Sequence, residues 1–540
     1  MMKKVPYQHG AMICHRQSAL LLSSPAIGEA LAIAKLALRK NHRACGSETM
    51  AALPPVPPSP SPSTTTTEPR NQLPLRAIPG GYGLPVLGAI KDRLDFFWFQ
   101  GEREFWESRR KKFKSTVFRT NVPPSPPAFP SNKVIMLLDQ KSFPVLFDMD
   151  KVCKKDVLLA NYMPSTSFYG GIRPCIYLDT SEERHTKIKS FMLSLLKEKS
   201  SLWIPEMDKA TTEIFPSWES KLKENPNGAE LSSETGQVAL NVLIRTLMGV
   251  EPSQDGLTPS MFSIWLGPQL LPIASVGLPH LLEELILHNI RVPYLLVAYF
   301  YNKIQSFFRK HGGDLLDKAE KEFGVEREDA LHNIIFTTGF NAFGGLNIFL
   351  PYVVSCVGLV SEDMKAEMAK QAREAVEAEG GAMSVAALQR MPLLRSAVYE
   401  VLRIYPPVPY QYATAKVDMV IESHDSRHEV KEGEILGGCQ PIALRDPVVF
   451  GDDAETYRAD RFVGAEGEKL LKHVMWGNAF ANTVASANNK ACAANELVPL
   501  LAQAFLAAIF LRYDSFKTAA PIIKGNAATH TLISLTPRTA

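Results

Sequence analysis

A mainly α-helical domain with a small β part is the fold class this sequence predicts, on three observations. Helix-period apolar patterns dominate the chain beyond about residue 140, at 183–197, 203–222, 235–249, 281–310, 314–323, 326–350, 361–378 and 385–404. Short alternating segments read as strands: Ser115–Arg119 and Val134–Leu138 early, 417–423 and 434–437 late. The composition, 46% hydrophobic and 21% charged over 540 residues, is that of a globular protein.

Taken in order, residues 1–53 are basic, poor in acids and rich in Ser and Ala, with an amphipathic stretch near Ile27–Lys40. Organelle transit peptides have this character, and no secretory h-region with a cleavage site is present. Residues 54–75 are dense in Pro, Ser and Thr and read as a linker that cannot pack a core. Residues 76–540 then form the expected domain, opening on a Pro/Gly-marked segment, RAIPGGYGLPVLG, that leads into an amphipathic helix.

The net charge of +3 is too small to suggest a nucleic-acid partner, and it is unevenly spread. Nine Lys/Arg stand against three Asp/Glu in residues 1–76, so the remainder is slightly acidic. The seven cysteines are scattered and odd in number, without C-x-x-C pairs, which argues against a disulfide framework or a zinc site. No run of 18 apolar residues occurs, so no membrane span is expected. The apolar stretches Leu270–Pro279 and Leu281–Leu287 are suited to peripheral membrane contact or to a substrate entrance.

The chemistry concentrates at the C-terminal end. A loop of small and polar residues ends on Cys492, just ahead of a long apolar helix pattern at Leu497–Leu511. A cysteine near a helix start gains from the positive dipole end, which favours the metal-binding thiolate. Upstream, Glu400 and Arg403 share a helix face at i, i+3, and Arg461 in YRADRF supplies a second guanidinium for a charge-assisted network.

An E-x-x-R helix, an aromatic-x-x-acid-Arg-Phe segment and a late cysteine, in that order, resemble the cytochrome P-450 superfamily and imply its fold. They also imply heme b with Cys492 as the axial thiolate. Glu400, Arg403 and Arg461 would be structural support, and Lys490 would either pair with a heme propionate or be a solvated lysine. The loop identifies the branch. Trp476 precedes Cys492 by sixteen positions, nine more than the superfamily's usual seven. That insertion, flanked by KHVMW and NNKACAANE, resembles the plant fatty-acid hydroperoxide-metabolising branch of allene oxide synthases, hydroperoxide lyases and divinyl ether synthases. The resemblance covers residues from about Arg76 onward.

The central helix agrees with that branch. Where oxygen-activating members carry an acid and a threonine after a Gly-rich turn, this chain has Asn347 and Ile348 after Gly344-Gly345. Without that pair, a substrate bearing its own O–O bond is favoured over dioxygen. Asn341, one turn upstream, has an amide that either serves an interhelical hydrogen bond or meets a hydroperoxide oxygen. The branch resemblance implies the second role.

Leu158 stands where allene oxide synthases carry Phe and lyases generally carry Leu, and YLDT (177–180), TGFNAFGG (338–345) and PPVPYQY (406–412) also resemble lyases. Ile273–Pro279 and Lys154/Lys155 resemble the synthases instead. The expectation is a plastid-localised hydroperoxide lyase. It would cleave polyunsaturated fatty-acid hydroperoxides to an aldehyde and an oxo-acid without dioxygen or a redox partner. Allene oxide synthase is the first alternative, and a heme-binding relative without catalysis the second.

Four departures put heme affinity in question. Ala479-Phe480 replace a Gly-Pro turn, Asn495 replaces a usual Lys, and Thr414 replaces an Arg. Pro499 is expected two turns into the helix after Cys492, where it would cost on the order of 3 kcal/mol.

Overall fold

In the computed structural model the described residues are 73–539, so the basic segment 1–53 and nearly all of the linker 54–75 lie outside them. From residue 73 onward helices dominate, as the periodicity predicts. The two early alternating segments pair antiparallel as β1 (Val117–Val122) and β2 (Asn132–Leu137). They join β3 (Val152–Cys153), β4 (Tyr410–Ala415) and β5 (Ile435–Cys439) in a five-stranded sheet of order β1-β2-β5-β4-β3. Only the β2–β5 pair is parallel. β5 can lie close to its neighbours because it carries glycines; a Cβ on Gly438 would fall 2.3 Å from the Phe143 ring.

Four helices frame the interior. They are α1 (Glu183–Glu198), the 32-residue α2 (Arg327–Gly358), α3 (Pro392–Ile404) and α4 (Leu497–Arg512). α2 is the one described helix long and apolar enough to cross a membrane, and more than half of its most apolar window is buried inside the fold. α4 is apolar on every face and buried almost throughout, the pattern of a helix surrounded by protein.

Where the periodic patterns mislead, proline is the usual reason. The segment 281–310 is not one helix but His280–Ile286, a short turn at Tyr294–Leu296, and Ala298–His311. Pro293 has no N–H to continue the ladder and restricts the residue before it. The segment 385–404 divides into Val385–Gln389 and α3, which takes Pro392 in its first turn, where no N–H is needed. The pattern at 326–350 instead runs on to Gly358, through Pro351. Helix Pro259–Leu270 scatters Ser260, Ser263, Gly267 and Gln269 around its apolar residues and so shows no helical period. β4 lies directly behind the prolines 406, 407 and 409, and its pattern is masked by them.

The predicted ion network forms and is fully buried. Arg403 grips Glu400 through two parallel hydrogen bonds of 2.7 Å, and Arg461 Nε donates to the same carboxylate at 2.8 Å. Glu400 and Arg403 are 0% exposed. The remaining guanidinium protons go to backbone carbonyls of Leu444, Phe450, Ala454 and Thr456 and to Asp453. Removing one partner would strand the others in a dry interior. Arg403→Leu is therefore expected to lower unfolding free energy by about 3–5 kcal/mol, read as a fall in the urea midpoint.

Candidate active site

The loop around Cys492 is built on a two-residue hairpin. Met475–Trp476 pairs with Ala479–Phe480, and both loop residues have positive φ, Gly477 at 58° and Asn478 at 64°. Right-handed strand twist favours this turn, and Gly and Asn are the residues that tolerate it. The chain then leaves as the long loop and returns so that Cys492 N–H donates to Gly477 C=O at 2.7 Å. A Cβ on Gly477 would sit 2.7 Å from Cys492 Cβ, so the glycine keeps the sulfur's place open.

Two of the expected departures carry no penalty here. Ala479 and Phe480 lie in the strand, so the replaced Gly-Pro is not where the turn needs positive φ. Pro499 lies in the first turn of α4, among the N–H groups without an intrahelical partner, so the expected kink is absent. Asn495 is buried and donates through Nδ2 to Thr483 C=O, tying the long loop to the cysteine segment.

The thiol itself differs from the sequence expectation. α4 begins at Leu497, where the pattern placed it, but burial pushes the Cys492 thiol up from its ordinary range. An N–H from Ala494 and the charge of Lys189 pull the other way and lose. Metal coordination is what deprotonates a thiol in such a place.

Three buried lysines surround this floor. Lys490 Nζ donates to the carbonyls of Cys175, Ile176 and Leu178 at 2.8–3.1 Å, so its protons are already used. Pairing with a propionate would have to displace one of these bonds, and Lys490 as it stands is a tie between two loops, not a solvated lysine. Lys189, on α1, donates to Ala491 C=O, and Lys154 reaches Gln411 and Asn478. None has an acid partner among the described residues. Burial, then the charge of Lys490, brings Lys154 down to about 7, and burial first brings Lys490 down to about 8. His185, one turn before Lys189, is held neutral by burial and by the charges of Lys490 and Lys189, at about 4. His185 and Lys189 share one helix face, a spacing visible in the sequence that a search for acidic or thiol ligands passes over.

A single cavity of about 2230 Å3 stands over this floor and brings together Cys492, Lys490, Leu158 and Asn341. Glu400, Arg403 and Arg461 lie outside it. Its roof is α2, which opens into a π-helical turn at Thr337–Phe343. Such a turn re-aims side chains and recurs at functional sites. Asn341 on this turn is exposed to the cavity and its amide has no hydrogen-bond partner among the described residues, which leaves the interhelical role unfilled. Ile348, 48% exposed, and Asn347 line the same cavity, so neither an acid nor a hydroxyl stands at those two positions. Leu158 lines one wall, half-buried. Phe340, stacked on Phe336 at 4.7 Å and 12°, presents an aromatic ring beside Asn341.

These residues fit a heme. A cysteine that could serve as a thiolate ligand, buried basic side chains without acid counter-charges, and a cavity larger than a single small molecule needs are all present. Trp476 Nε1 and both amide atoms of Gln440 are buried along the cavity without partners, further polar sites facing the same space.

Comparison with known proteins agrees. The cytochrome P450 family profile matches residues 362–477. Allene oxide synthase 1, chloroplastic, of Solanum lycopersicum is 45% identical over 449 residues, 83% of this chain and 84% of its own length. Allene oxide synthase, chloroplastic, of Linum usitatissimum is 45% identical over 448 residues, 82% and 83%. Divinyl ether synthase CYP74M3 of Selaginella moellendorffii is 43% identical over 455 residues, 82% and 92%. These relatives are synthases, whereas the motif reading leans to lyases.

Two substitutions test the floor. Cys492→Ala is expected to abolish the thiolate heme spectrum while the other described cysteines can be replaced without that effect. Gly477→Ala is expected to lower the heme-to-protein ratio, because its Cβ would collide with Cys492 and its φ is unfavourable for alanine.

Proposed function

Because the chain belongs to the plant fatty-acid hydroperoxide branch of the cytochrome P450 family, whose cofactor is a heme thiolate, we propose that it is an allene oxide synthase. It would dehydrate polyunsaturated fatty-acid hydroperoxides. The carrying observation is the identity, over four-fifths of the chain, to relatives of that name. The reaction removes water from a substrate that already holds both oxygens, so the atoms balance without dioxygen, reductant or redox partner. The lack of an acid–hydroxyl pair at Asn347 and Ile348 supports this. Heme, when bound, supplies the one-electron chemistry that opens an O–O bond.

The chain's own residues then have distinct tasks. Asn341 donates an amide N–H to the hydroperoxide and sets its position; no competing partner holds that amide. The apolar wall keeps water from a substrate-derived radical. Phe340 offers a π face that can assist its oxidation to a cation, the step that precedes proton loss to allene oxide.

Hydroperoxide lyase is the second reading, favoured by Leu158, which has no π face at the position where the synthases of this branch carry Phe. The basic segment 1–53 and the chloroplastic relatives support a plastid location. Exposed Leu281 and Leu285, beside the cavity's outer loop, support peripheral contact with a membrane there.

Purified protein given a fatty-acid hydroperoxide without reductant should yield mainly ketols from allene oxide, identified by mass spectrometry. Mainly aldehydes would promote the lyase reading, and mainly divinyl ethers would refute both. Leu158→Phe is expected to remove residual aldehyde with hydroperoxide consumption retained. Asn341→Leu is expected to keep heme content but lose most turnover, whereas equal loss of both would make Asn341 structural.

A further inference from the structure

The cavity has an outer mouth that the reaction chemistry does not use. There the turn Lys524–Asn526, between strands Ile522–Lys524 and Ala527–Thr529, meets the loop Ala274–Leu278. Asn526 N–H donates to Ser275 C=O and Ser275 N–H donates to Asn526 Oδ1, both at 2.8 Å. On the inner side Tyr410 Oη donates to Glu102 at 2.6 Å, and Asn526 Nδ2 approaches the other oxygen of that carboxylate at 3.4 Å. Lys524 stands on this rim against Gly277, its Cβ 3.0 Å from where a Cβ on that glycine would lie. It is exposed, lines the cavity, and has no ion pair or hydrogen bond among the described residues.

The other cations along the cavity are mostly engaged. Lys189, Lys490 and Arg445 donate to backbone carbonyls, while Arg103 and Arg110 pair with Glu455 and Glu107. Between floor and mouth the lining is apolar, with Leu266, Leu270, Ile273 and Phe343. An ionised carboxylate is strongly disfavoured in such a stretch without a partner. A long-chain acid that places its hydroperoxide at Asn341 therefore leaves its carboxylate where a cation and water are at hand.

We propose that Lys524 is a specificity-determining residue that ion-pairs the carboxylate of the fatty-acid substrate at the cavity mouth, so that the chain enters tail first. The inference rests on the proposed fatty-acid hydroperoxide substrate and adds its orientation. Glu102 makes no ion pair with this lysine among the described residues; its two oxygens accept from Tyr410 and Asn526 instead. A partly exposed pair of this kind is worth about 1 kcal/mol, close to a fivefold effect.

The test compares a fatty-acid hydroperoxide with its methyl ester on the full-length holoenzyme. The wild type should prefer the acid in KM. Lys524→Gln should raise KM for the acid about fivefold with kcat retained, and the acid-over-ester preference should vanish. Lys524→Arg should restore it. The dissociation constant of the unreactive hydroxy fatty acid, read from the heme absorbance shift, should move in parallel. An unchanged preference in Lys524→Gln overturns the inference, as does a preference that moves only with Lys111→Gln, the other unpaired lysine of the lining. Wild type that consumes neither acid nor ester would instead sink the substrate reading itself.

Discussion

The buried carboxylate of Glu400 is the constraint from which the catalytic end of the fold is arranged. Two guanidinium groups converge on it, and both are wholly removed from water. An ion cluster so placed holds only if every remaining proton finds an acceptor. The acceptors here are carbonyls spread from Leu444 to Thr456, so meeting that demand fixes the path of the segment leading toward the cysteine loop. α3 supplies the acid and one base, and the chain sixty residues later supplies the other. The network is thus a long-range clamp written in three residues.

Charge and shape divide the cavity. Cations gather at the floor beside Cys492, where burial depresses Lys154, Lys189 and Lys490 and keeps His185 neutral. Farther in, hydrocarbon takes over, and the polar side chains that α2 turns to that side, Thr337, Thr338, Asn341 and Asn347, are all neutral. A floor that is electropositive without acid counter-charges suits a dianionic flat cofactor. A roof with a hydrogen-bond donor but no titratable proton suits a substrate that arrives already oxidised. The π-helical turn connects the two, because it breaks the regular i−4 ladder at the residues that carry Asn341.

Much of this was legible in the sequence, and what was not had physical causes. The Glu400/Arg403/Arg461 triad could be read because a helix fixes i, i+3 neighbours and buried charge leaves few other arrangements. Cys492 and Asn341, expected to face one site, do line the same cavity, although Asn341 is exposed to it and not buried as a core amide would be. For Lys490 the solvated alternative fails, because its partners are backbone carbonyls of a distant loop, which leave no side-chain signature. For Pro499 the expectation counted turns from Cys492; counted from Leu497, where the helix begins, it falls in the first turn, and one turn decides whether a missing N–H matters. The helix 281–310 failed because periodicity outlasted Pro293. The choice among branch members was hardest: it turns on single apolar side chains, and Leu158 and Phe340 line the same cavity with opposite implications.

The hydrogen bond from Cys492 to Gly477 has a polymer consequence. Sixteen positions separate Trp476 from the cysteine, yet the sulfur returns to the hairpin turn immediately beside that tryptophan. Closing a loop grows costlier only with the logarithm of its length, so nine added residues amount to ~0.7 kcal/mol of chain entropy. Local anchors such as Asn495 to Thr483, and Asn489 accepting from Ser486 and Ala491, reduce the freedom to be lost. The insertion is a detour whose two ends meet. Its length is decoupled from the position of the sulfur, so this stretch can lengthen or shorten over evolutionary time while the cysteine stays where it is.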